Sequence, residues 1–160
     1  MDERPVDITV NAESARAFVE TRDTLADFLR DHCGLTGTHL ACEHGVCGAC
    51  TVLLDGEAVR SCLIFAVQAA GHAVTTIEGL SPTDGSLSRV QEAFFDNHGL
   101  QCGFCTPGFI VSVTAFLRDN PSPSDEEIRD ALSGNLCRCT GYQGILKAVR
   151  AAAAGRATPD

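Results

Sequence analysis

Nine cysteines restrict the possible folds of this 160-residue chain more than any other feature of its sequence. Cys33 stands apart, and the other eight form two sets of four, one in each half of the chain: Cys42, Cys47, Cys50 and Cys62, then Cys102, Cys105, Cys137 and Cys139. An odd number of closely spaced cysteines does not suit a disulfide framework, but it is typical of metal ligands in a reducing compartment. The sequence therefore predicts a chain that folds around two metal centres.

The balance of charge excludes several classes of partner. Lys and Arg number 12 against 21 Asp and Glu, which gives a net charge of −9. Such a chain cannot neutralise many phosphates, so nucleic-acid binding is not expected. The longest apolar stretch, residues 109–117, is far shorter than the roughly 20 residues that span a bilayer, and the first residues lack the features of a signal peptide. We expect a cytoplasmic protein without a transmembrane segment.

The first half has the patterns of a sheet with one helix. Val6, Ile8 and Val10 alternate with polar residues, and Thr24 is placed to cap a helix. Asp55-Gly56 is the strongest short signal for a hairpin. The predicted strands cover residues 6–10, 15–20, 51–54, 57–60 and 74–77, with a turn at 11–14, a loop at 34–48 and a short helix at 65–70.

Beyond a linker at residues 79–85 the apolar period changes from 2 to 3.6, which predicts helices. Thr106-Pro107 suits a first helical turn, and Ser124 with Glu127 forms a capping box. Four helices are predicted in this half, and apolar faces are assigned to three of them. These faces are Leu87, Val90, Phe94 and Phe95 for the first of the four; Phe109, Ile110, Val113, Phe116 and Leu117 for the second; and Ile145, Leu146 and Val149 for the last. The sequence therefore predicts an α+β fold with two domains, residues 1–80 and an all-helical 81–160.

The first cysteine set has the spacing Cys42-x4-Cys47-x2-Cys50, which is that of a plant-type [2Fe–2S] loop. If Asp55-Gly56 makes a two-residue turn, Thr51 pairs with Arg60, and Cys62 returns beside Cys50 as the fourth ligand. Gly45 and Gly48 allow backbone N–H groups to approach the cluster sulfurs. A four-cysteine zinc site is the rival, although structural zinc motifs usually contain two close pairs. A Rieske centre needs a second histidine besides His44, and the loop has none.

The second set consists of two pairs, Cys102 with Cys105 and Cys137 with Cys139, each just before a predicted helix. Helix N-termini favour anionic ligands, so four thiolates would be well placed if the two ends converge. Spacing alone leaves zinc open here. Two one-electron centres in series indicate a relay for electrons. No nucleotide-binding, nucleophile or zinc-protease motif is present that would indicate a catalytic centre in this chain.

Three long motifs resemble those of the molybdenum hydroxylase (xanthine oxidase) family. Its N-terminal cluster motif is similar to residues 37–52, GTHLACEHGVCGACTV. Its second cluster motifs are similar to residues 101–108, QCGFCTPG, and 134–142, GNLCRCTGY. Ala41 stands where the family usually has glycine, and Cys33 where an aliphatic residue is common; neither change removes a ligand.

The resemblance implies the small iron–sulfur subunit of a multi-subunit oxidoreductase. It implies a β-grasp ferredoxin domain followed by a four-helix-bundle domain, each with one [2Fe–2S] cluster. A large partner subunit would carry molybdopterin and the substrate site, and a medium one FAD, in a heterotrimer that can double to a heterohexamer. Electrons would pass from molybdenum through the cluster of Cys102, Cys105, Cys137 and Cys139, then that of Cys42, Cys47, Cys50 and Cys62, to FAD. Gln101 and Cys139 would also contact the pterin.

The substrate site would lie on another chain, so these motifs specify the substrate only by class. N-heteroaromatics, aldehydes and acyl-CoA thioesters are the expected classes. The alternatives are the small subunit of an aerobic carbon monoxide dehydrogenase, a free-standing ferredoxin-type carrier and a structural zinc adaptor. A carrier is disfavoured because it needs one exposed cluster and no helical half around a second.

Overall fold

The computed structural model describes residues 2–155, and the first half is built on a five-stranded mixed sheet. Its strands are β1 (Glu3–Val10), β2 (Glu13–Glu20), β3 (Thr51–Leu54), β4 (Glu57–Arg60) and β5 (Ala73–Thr75), in the spatial order β2-β1-β5-β3-β4. β1 runs parallel to β5, and the other neighbours are antiparallel. The alternation of Val6, Ile8 and Val10 is confirmed, because all three side chains are buried.

One short helical segment crosses the sheet. α1 (Leu25–Asp27) continues into a π-helical turn at Phe28–His32. Thr24 caps α1 as predicted, since its hydroxyl accepts a hydrogen bond from the Asp27 N–H at 3.1 Å. Leu25, Phe28 and Leu29 are fully buried against the strands, so this segment and the sheet share one apolar core.

The hairpin between β3 and β4 has the predicted register. Thr51 pairs with Arg60 and Leu54 with Glu57. Asp55 and Gly56 have φ angles of 50° and 89°, the conformation of a type I′ turn. This register matters because β3 starts directly after Cys50 and β4 ends two residues before Cys62.

The second half contains α2 (Arg89–Asp96), α3 (Thr106–Asp119), α4 (Asp125–Leu132) and α5 (Tyr142–Ala154). With α1, residues 2–155 therefore hold five α-helices, together with 3₁₀ turns at Ser61–Leu63, Ala66–Gln68 and Ile77–Leu80. The largest buried side chains of the helical core are Phe94, Phe109, Leu117, Ile128 and Ile145. The final residues of the predicted second domain, 156–160, lie outside the described part. No helix within residues 2–155 is long and apolar enough to cross a bilayer.

The predicted inner face of α2 was wrong at two positions. Leu87 and Phe95 are 50% and 69% exposed, whereas Val90, Ala93 and Phe94 are buried. Ser88 is the N-cap, so Leu87 precedes the helix. Val90, Ala93 and Phe94 have the i, i+3, i+4 spacing of one face, while Phe95 is turned away from it. Smaller errors concern boundaries: β2 starts at Glu13, and residues 66–68 form a 3₁₀ turn rather than a helix over 65–70.

The two halves pack directly against each other. α3 contacts the hairpin through the buried side chains of Leu53, Val111 and Ala115. At the start of α3, Gly108 lies against the backbone of the first cysteine loop: a Cβ there would overlap the Gly48 carbonyl oxygen and lie 3.2 Å from the Ala49 Cα. The first turn of α3 therefore requires glycine at position 108 because the loop approaches so closely.

The Gly108→Ala variant is expected to lower the free energy of unfolding by about 1–3 kcal/mol, because the methyl group must push backbone atoms apart. For a chain of this size this corresponds to a fall in Tm of roughly 2–10 °C, measurable by scanning calorimetry. Gly155→Ala is the matched control, since a Cβ there meets its nearest atom, Arg89 Cδ, at 3.4 Å. Equal Tm values for the two variants would contradict the close contact.

Candidate metal centres

The hairpin brings the first cysteine set together as predicted. Cys50 and Cys62 are buried, and the Cys50 carbonyl accepts hydrogen bonds from the Ser61 hydroxyl at 2.7 Å and the Ser61 N–H at 3.3 Å. The Cys50 and Cys62 thiols interact with each other, and the Cys42 thiol interacts with Cys47. The four thiols of this set are therefore arranged as two pairs.

The first loop favours negative charge at one sulfur. The N–H groups of His44 and Cys47 point at the Cys42 sulfur and lower the pKa of its thiol to about 6; the Cys47 N–H lies 3.3 Å from that sulfur. Burial raises the pKa of the Cys62 thiol to about 11, and the adjacent Cys50 thiol adds to the effect. A bound metal would offset this cost, because metal binding releases the thiol protons.

Both glycines predicted to shape this loop have left-handed conformations. Gly45 has φ +85°, and its N–H is directed at the Cys62 sulfur. Gly48 has φ +73°, and a Cβ there would lie 2.6 Å from the Asn135 Nδ2 and 2.7 Å from the Gly134 carbonyl oxygen. Gly48 is thus required for a second reason that the sequence did not reveal, since the helical half presses against it.

The two pairs of the second set converge at helix N-termini. Cys105 is the N-cap of α3, and the Cys137 sulfur accepts a hydrogen bond from the Gly141 N–H at 3.3 Å, just before α5. All four cysteines of the set line one cavity of about 430 Å³, together with Cys47 of the first set. The predicted convergence is therefore present, with free N–H groups favouring anionic sulfur.

The thiols of the second set are also arranged in pairs. Cys102 interacts with Cys139, and Cys105 with Cys137. The Phe104 N–H lowers the pKa of the exposed Cys102 thiol, with help from Cys139. Burial raises the pKa of the Cys105 thiol to about 12, and the Cys137 thiol adds to the effect. The Cys102 N–H lowers the pKa of the Cys139 thiol, but the Cys102 thiol and burial together raise it above its ordinary value. Each set thus contains one thiol with a lowered pKa, Cys42 or Cys102, and at least one with a raised pKa.

The paired arrangement fits a two-iron cluster, in which each iron takes two protein ligands. Within the described residues, no three Cys, His, Asp or Glu side chains are grouped as ligands of a single metal ion. His44 directs its Nδ1 at the Cys42 carbonyl oxygen and is thereby a loop residue. Gln101 is exposed directly before Cys102, and Cys139 is partly buried.

The loops that carry the two sets are hydrogen-bonded to each other. The Leu136 N–H donates to the Cys47 carbonyl oxygen at 2.9 Å. The buried Asn135 amide donates to the Gly48 carbonyl at 3.0 Å and accepts from the Ser112 hydroxyl at 2.9 Å. One peptide segment, residues 135–137, therefore contacts the first loop and carries a cysteine of the second set.

Two residues at this junction were missed in the sequence. His39 stacks on Phe104 with ring centroids 4.6 Å apart, and its Nδ1 lies 2.7 Å from the Phe104 carbonyl oxygen. Arg60 reaches the Gly134 carbonyl, 74 positions along the chain. No local pattern marks either residue, because their partners lie in the other half.

Comparison with known families agrees with two cluster domains. A family model described as a 2Fe-2S iron-sulfur cluster binding domain matches residues 8–73. A second, described as a [2Fe-2S] binding domain, matches residues 76–150. Each matched region contains one complete cysteine set.

Two similar proteins are subunits of larger enzymes. The nicotine 6-hydroxylase small subunit of Paenarthrobacter nicotinovorans is 57% identical over 148 residues, covering 92% of this chain and 88% of that protein. The caffeine dehydrogenase subunit gamma of Pseudomonas sp. (strain CBB1) is 54% identical over 154 residues, covering 94% and 91%. The chain belongs to the small [2Fe–2S] subunits of the molybdenum hydroxylase family.

Solved structures of this family have the same fold. A chain of quinoline 2-oxidoreductase from Pseudomonas putida 86 superposes with a TM-score of 0.91 at 46% identity, covering 97% of this chain and 96% of that one. In the aldehyde oxidoreductase of Desulfovibrio desulfuricans ATCC 27774 the matched region is only 17% of a longer chain, with a TM-score of 0.90 and 43% identity over 96% of this chain.

Family membership confirms several predictions. The fold is α+β, with a [2Fe–2S] ferredoxin-type domain followed by a helical [2Fe–2S] domain. The protein is the iron–sulfur, electron-transfer subunit of a multi-subunit oxidoreductase, and its cofactors are two [2Fe–2S] clusters. The comparisons do not favour a free-standing ferredoxin, a carbon monoxide dehydrogenase subunit or a zinc adaptor.

Proposed function

We propose that the eight patterned cysteines are the cluster ligands: Cys42, Cys47, Cys50 and Cys62 hold the first cluster, and Cys102, Cys105, Cys137 and Cys139 the second. The observation that carries this proposal is the pairing of the thiols within each set. Two pairs suit two irons. The N–H groups directed at Cys42, Cys62 and Cys137 support bound thiolates, because a donor stabilises an anionic sulfur.

An unpartnered hydroxyl further supports the second site. The Thr106 Oγ1 is buried beside Cys105 and has no hydrogen-bond partner among the described residues. Buried polar groups are nearly always satisfied, so such an atom needs an explanation. A sulfur atom of a cluster held by Cys105 would accept this hydrogen bond.

The chain's own contribution to electron transfer is to hold the two sites close and rigid. When bound, the clusters supply one-electron transfer between the molybdopterin and FAD of partner subunits. The Leu136 N–H bonds the Cys47 carbonyl, and Leu136 is joined covalently to Cys137. This bridge links a ligand of one site to a ligand of the other through a single hydrogen bond. The packing of Gly108 against the first loop keeps the bridge in place.

We also propose the finer architecture that the family resemblance implies. The sheet with α1 is a β-grasp ferredoxin domain over residues 1–80. The helices α2–α5 form a four-helix bundle within a second domain, residues 81–160, which supports its cluster at the N-termini of α3 and α5. Direct packing of α2 on α3 and α5, and of α4 on α3 and α5, supports the bundle.

The proposed assembly is a heterotrimer with a large molybdopterin subunit and a medium FAD subunit, which can pair into a heterohexamer. Gln101 is exposed and Cys139 partly buried, which suits their proposed contact with the pterin on the large subunit. The second cluster would lie nearer molybdopterin and the first nearer FAD. The cytoplasmic location expected from the sequence remains a prediction.

The proposed substrate class is an N-heteroaromatic compound. The names of three similar proteins refer to nicotine, caffeine and quinoline, each of which contains a nitrogen heterocycle. Aldehydes are the second candidate, because aldehyde oxidoreductases also match at 46% identity over 92% of the chain.

Anaerobic visible spectra of the purified complex test this proposal. About four iron atoms and about four sulfides per chain are expected from two clusters, and dithionite should lower the absorbance of their visible bands. N-heteroaromatic compounds should bleach the same bands, whereas carbon monoxide should not. Bleaching by an aldehyde or by carbon monoxide, without bleaching by any N-heteroaromatic compound, would contradict the proposed substrate class. A colourless protein that contains zinc would contradict the cluster ligands as well.

A further inference from the structure

Arg60 occupies the junction between the two cysteine sets. It ends β4 two residues before Cys62, and its Nη1 donates to the Thr51 hydroxyl at 2.6 Å. Its Nη2 donates to the Gly134 carbonyl oxygen in the helical half. Thr51 directly follows Cys50, and Gly134 lies three residues before Cys137. The guanidinium therefore lies between the two loops that carry the proposed ligands.

The charge of Arg60 has no carboxylate partner. Both of its acceptors are neutral, and no Asp or Glu oxygen within residues 2–155 lies within the 4.0 Å of a salt bridge. Arg60 is partly buried. Removing a cation from water without a counter-charge costs free energy, so a partly buried cation of this kind favours an anion nearby.

The proposed clusters supply that negative charge. A [2Fe–2S] cluster held by four thiolates is an anion, and each electron that it accepts makes it more negative. Nearby charge and hydrogen bonds set the reduction potential of such a cluster. A cation between two clusters stabilises the reduced state of both, because the Coulomb interaction acts over several ångströms in a partly buried site.

We propose that Arg60 is a positioning residue that raises the reduction potentials of both clusters and holds their loops together. This inference rests on the ligand sets of the proposed function. The Thr51 hydroxyl that Arg60 bonds is itself a donor to the Gly48 carbonyl at 2.6 Å, and the Asn135 amide bonds the same carbonyl. One guanidinium thus fixes the backbone of both loops through hydrogen bonds and also places a positive charge near both proposed clusters.

Arg118, in the last turn of α3, provides a matched control that contacts the turn of the same hairpin. It also joins the two halves, because its Nη1 donates to the Gly56 carbonyl at 2.7 Å. It lies at the turn end of the hairpin, away from the cysteines. Its charge is neutralised by Asp119 at 2.7 Å and Glu57 at 3.5 Å. Replacing Arg118 removes an arginine and a contact between the halves, but its side chain is exposed at the turn end of the hairpin, so solvent and salt screen the change in field at the clusters.

The test is an anaerobic redox titration of the assembled complex, followed by electron paramagnetic resonance. Arg60→Met is expected to lower both midpoint potentials, with at least a tenfold fall in one reduction equilibrium constant, which is 59 mV for one electron. Arg60→Lys should keep most of the wild-type potentials because it keeps the charge. Arg118→Met should match the wild type.

Unchanged potentials in Arg60→Met, or an equal fall in Arg118→Met, would overturn the inference. A fall as large in Arg60→Lys as in Arg60→Met would also contradict it, because charge would not be the cause. If Arg60→Met does not assemble, Arg60→Gln serves instead, since its amide keeps a donor without the charge. A wild-type complex without two distinct [2Fe–2S] signals would refute the ligand proposal rather than the role of Arg60.

Discussion

The Cys137→Ser variant is expected to lose the second cluster and, with it, turnover with acceptors that take electrons at the FAD. Cys137 is buried, pairs with Cys105 and accepts the Gly141 N–H on its sulfur. Serine offers a hard, protonated oxygen in place of a soft thiolate, and iron–sulfur clusters select thiolates. The iron content should fall from about four to about two atoms per chain.

Pre-steady-state reduction separates loss of electron flow from loss of substrate binding. In the Cys137→Ser complex the substrate should still bind and react once at the large subunit, while the first cluster stays oxidised. Turnover measured with an acceptor that takes electrons directly from the molybdenum site should be retained. Wild-type turnover through FAD in this variant would show that the second cluster is not on the electron path.

Cys102→Ser should give the same phenotype for a different local reason. Cys102 is exposed, and its thiol pKa is lowered by the Phe104 N–H and by Cys139. Its replacement should disturb the protein core less than the replacement of the buried Cys137. Equal electron-transfer defects with different losses of stability would assign the common defect to the cluster.

Local patterns in the sequence predicted most of the elements that hold these sites. The Asp55-Gly56 turn has only one compatible register, so the position of Cys62 beside Cys50 followed from it. The capping residues Thr24 and Ser124 were likewise correct, because each forms its hydrogen bonds within four residues. Such features depend on short stretches of chain and need no knowledge of the fold.

Contacts between the halves could not be predicted in this way. Gly48 and Gly108 look like ordinary loop and helix glycines in the sequence, yet the carbonyl of one lies against the Cα of the other. Arg60 looks like a surface residue at the end of a strand, and only the fold brings it to Gly134. Leu87 and Phe95 were misplaced because apolar character alone does not show where a helix starts.

The Cys62→Ser variant tests the one ligand of the first set that lies outside the spaced motif. Cys62 is buried against Cys50 and receives the Gly45 N–H. Its replacement is expected to remove the first cluster and leave the second, so that iron again falls from about four to about two atoms per chain. Substrate should then reduce the second cluster, and the electrons should stop there. In the Cys137→Ser complex the second cluster is lost instead, and substrate leaves the first cluster oxidised.

Cys33→Ser is the matched control, because it replaces the one cysteine outside both sets. Cys33 ends the π-helical turn, where its N–H donates to the Phe28 carbonyl at 3.1 Å. Its thiol packs at the edge of the sheet core, and burial raises the thiol pKa. We expect full iron content, wild-type potentials and a change in stability within about 1 kcal/mol. Loss of a cluster in Cys33→Ser, with both clusters kept in Cys62→Ser, would reverse the assignment of the fourth ligand. The hairpin register favours Cys62 as the fourth ligand, because it places Cys62, and not Cys33, beside Cys50.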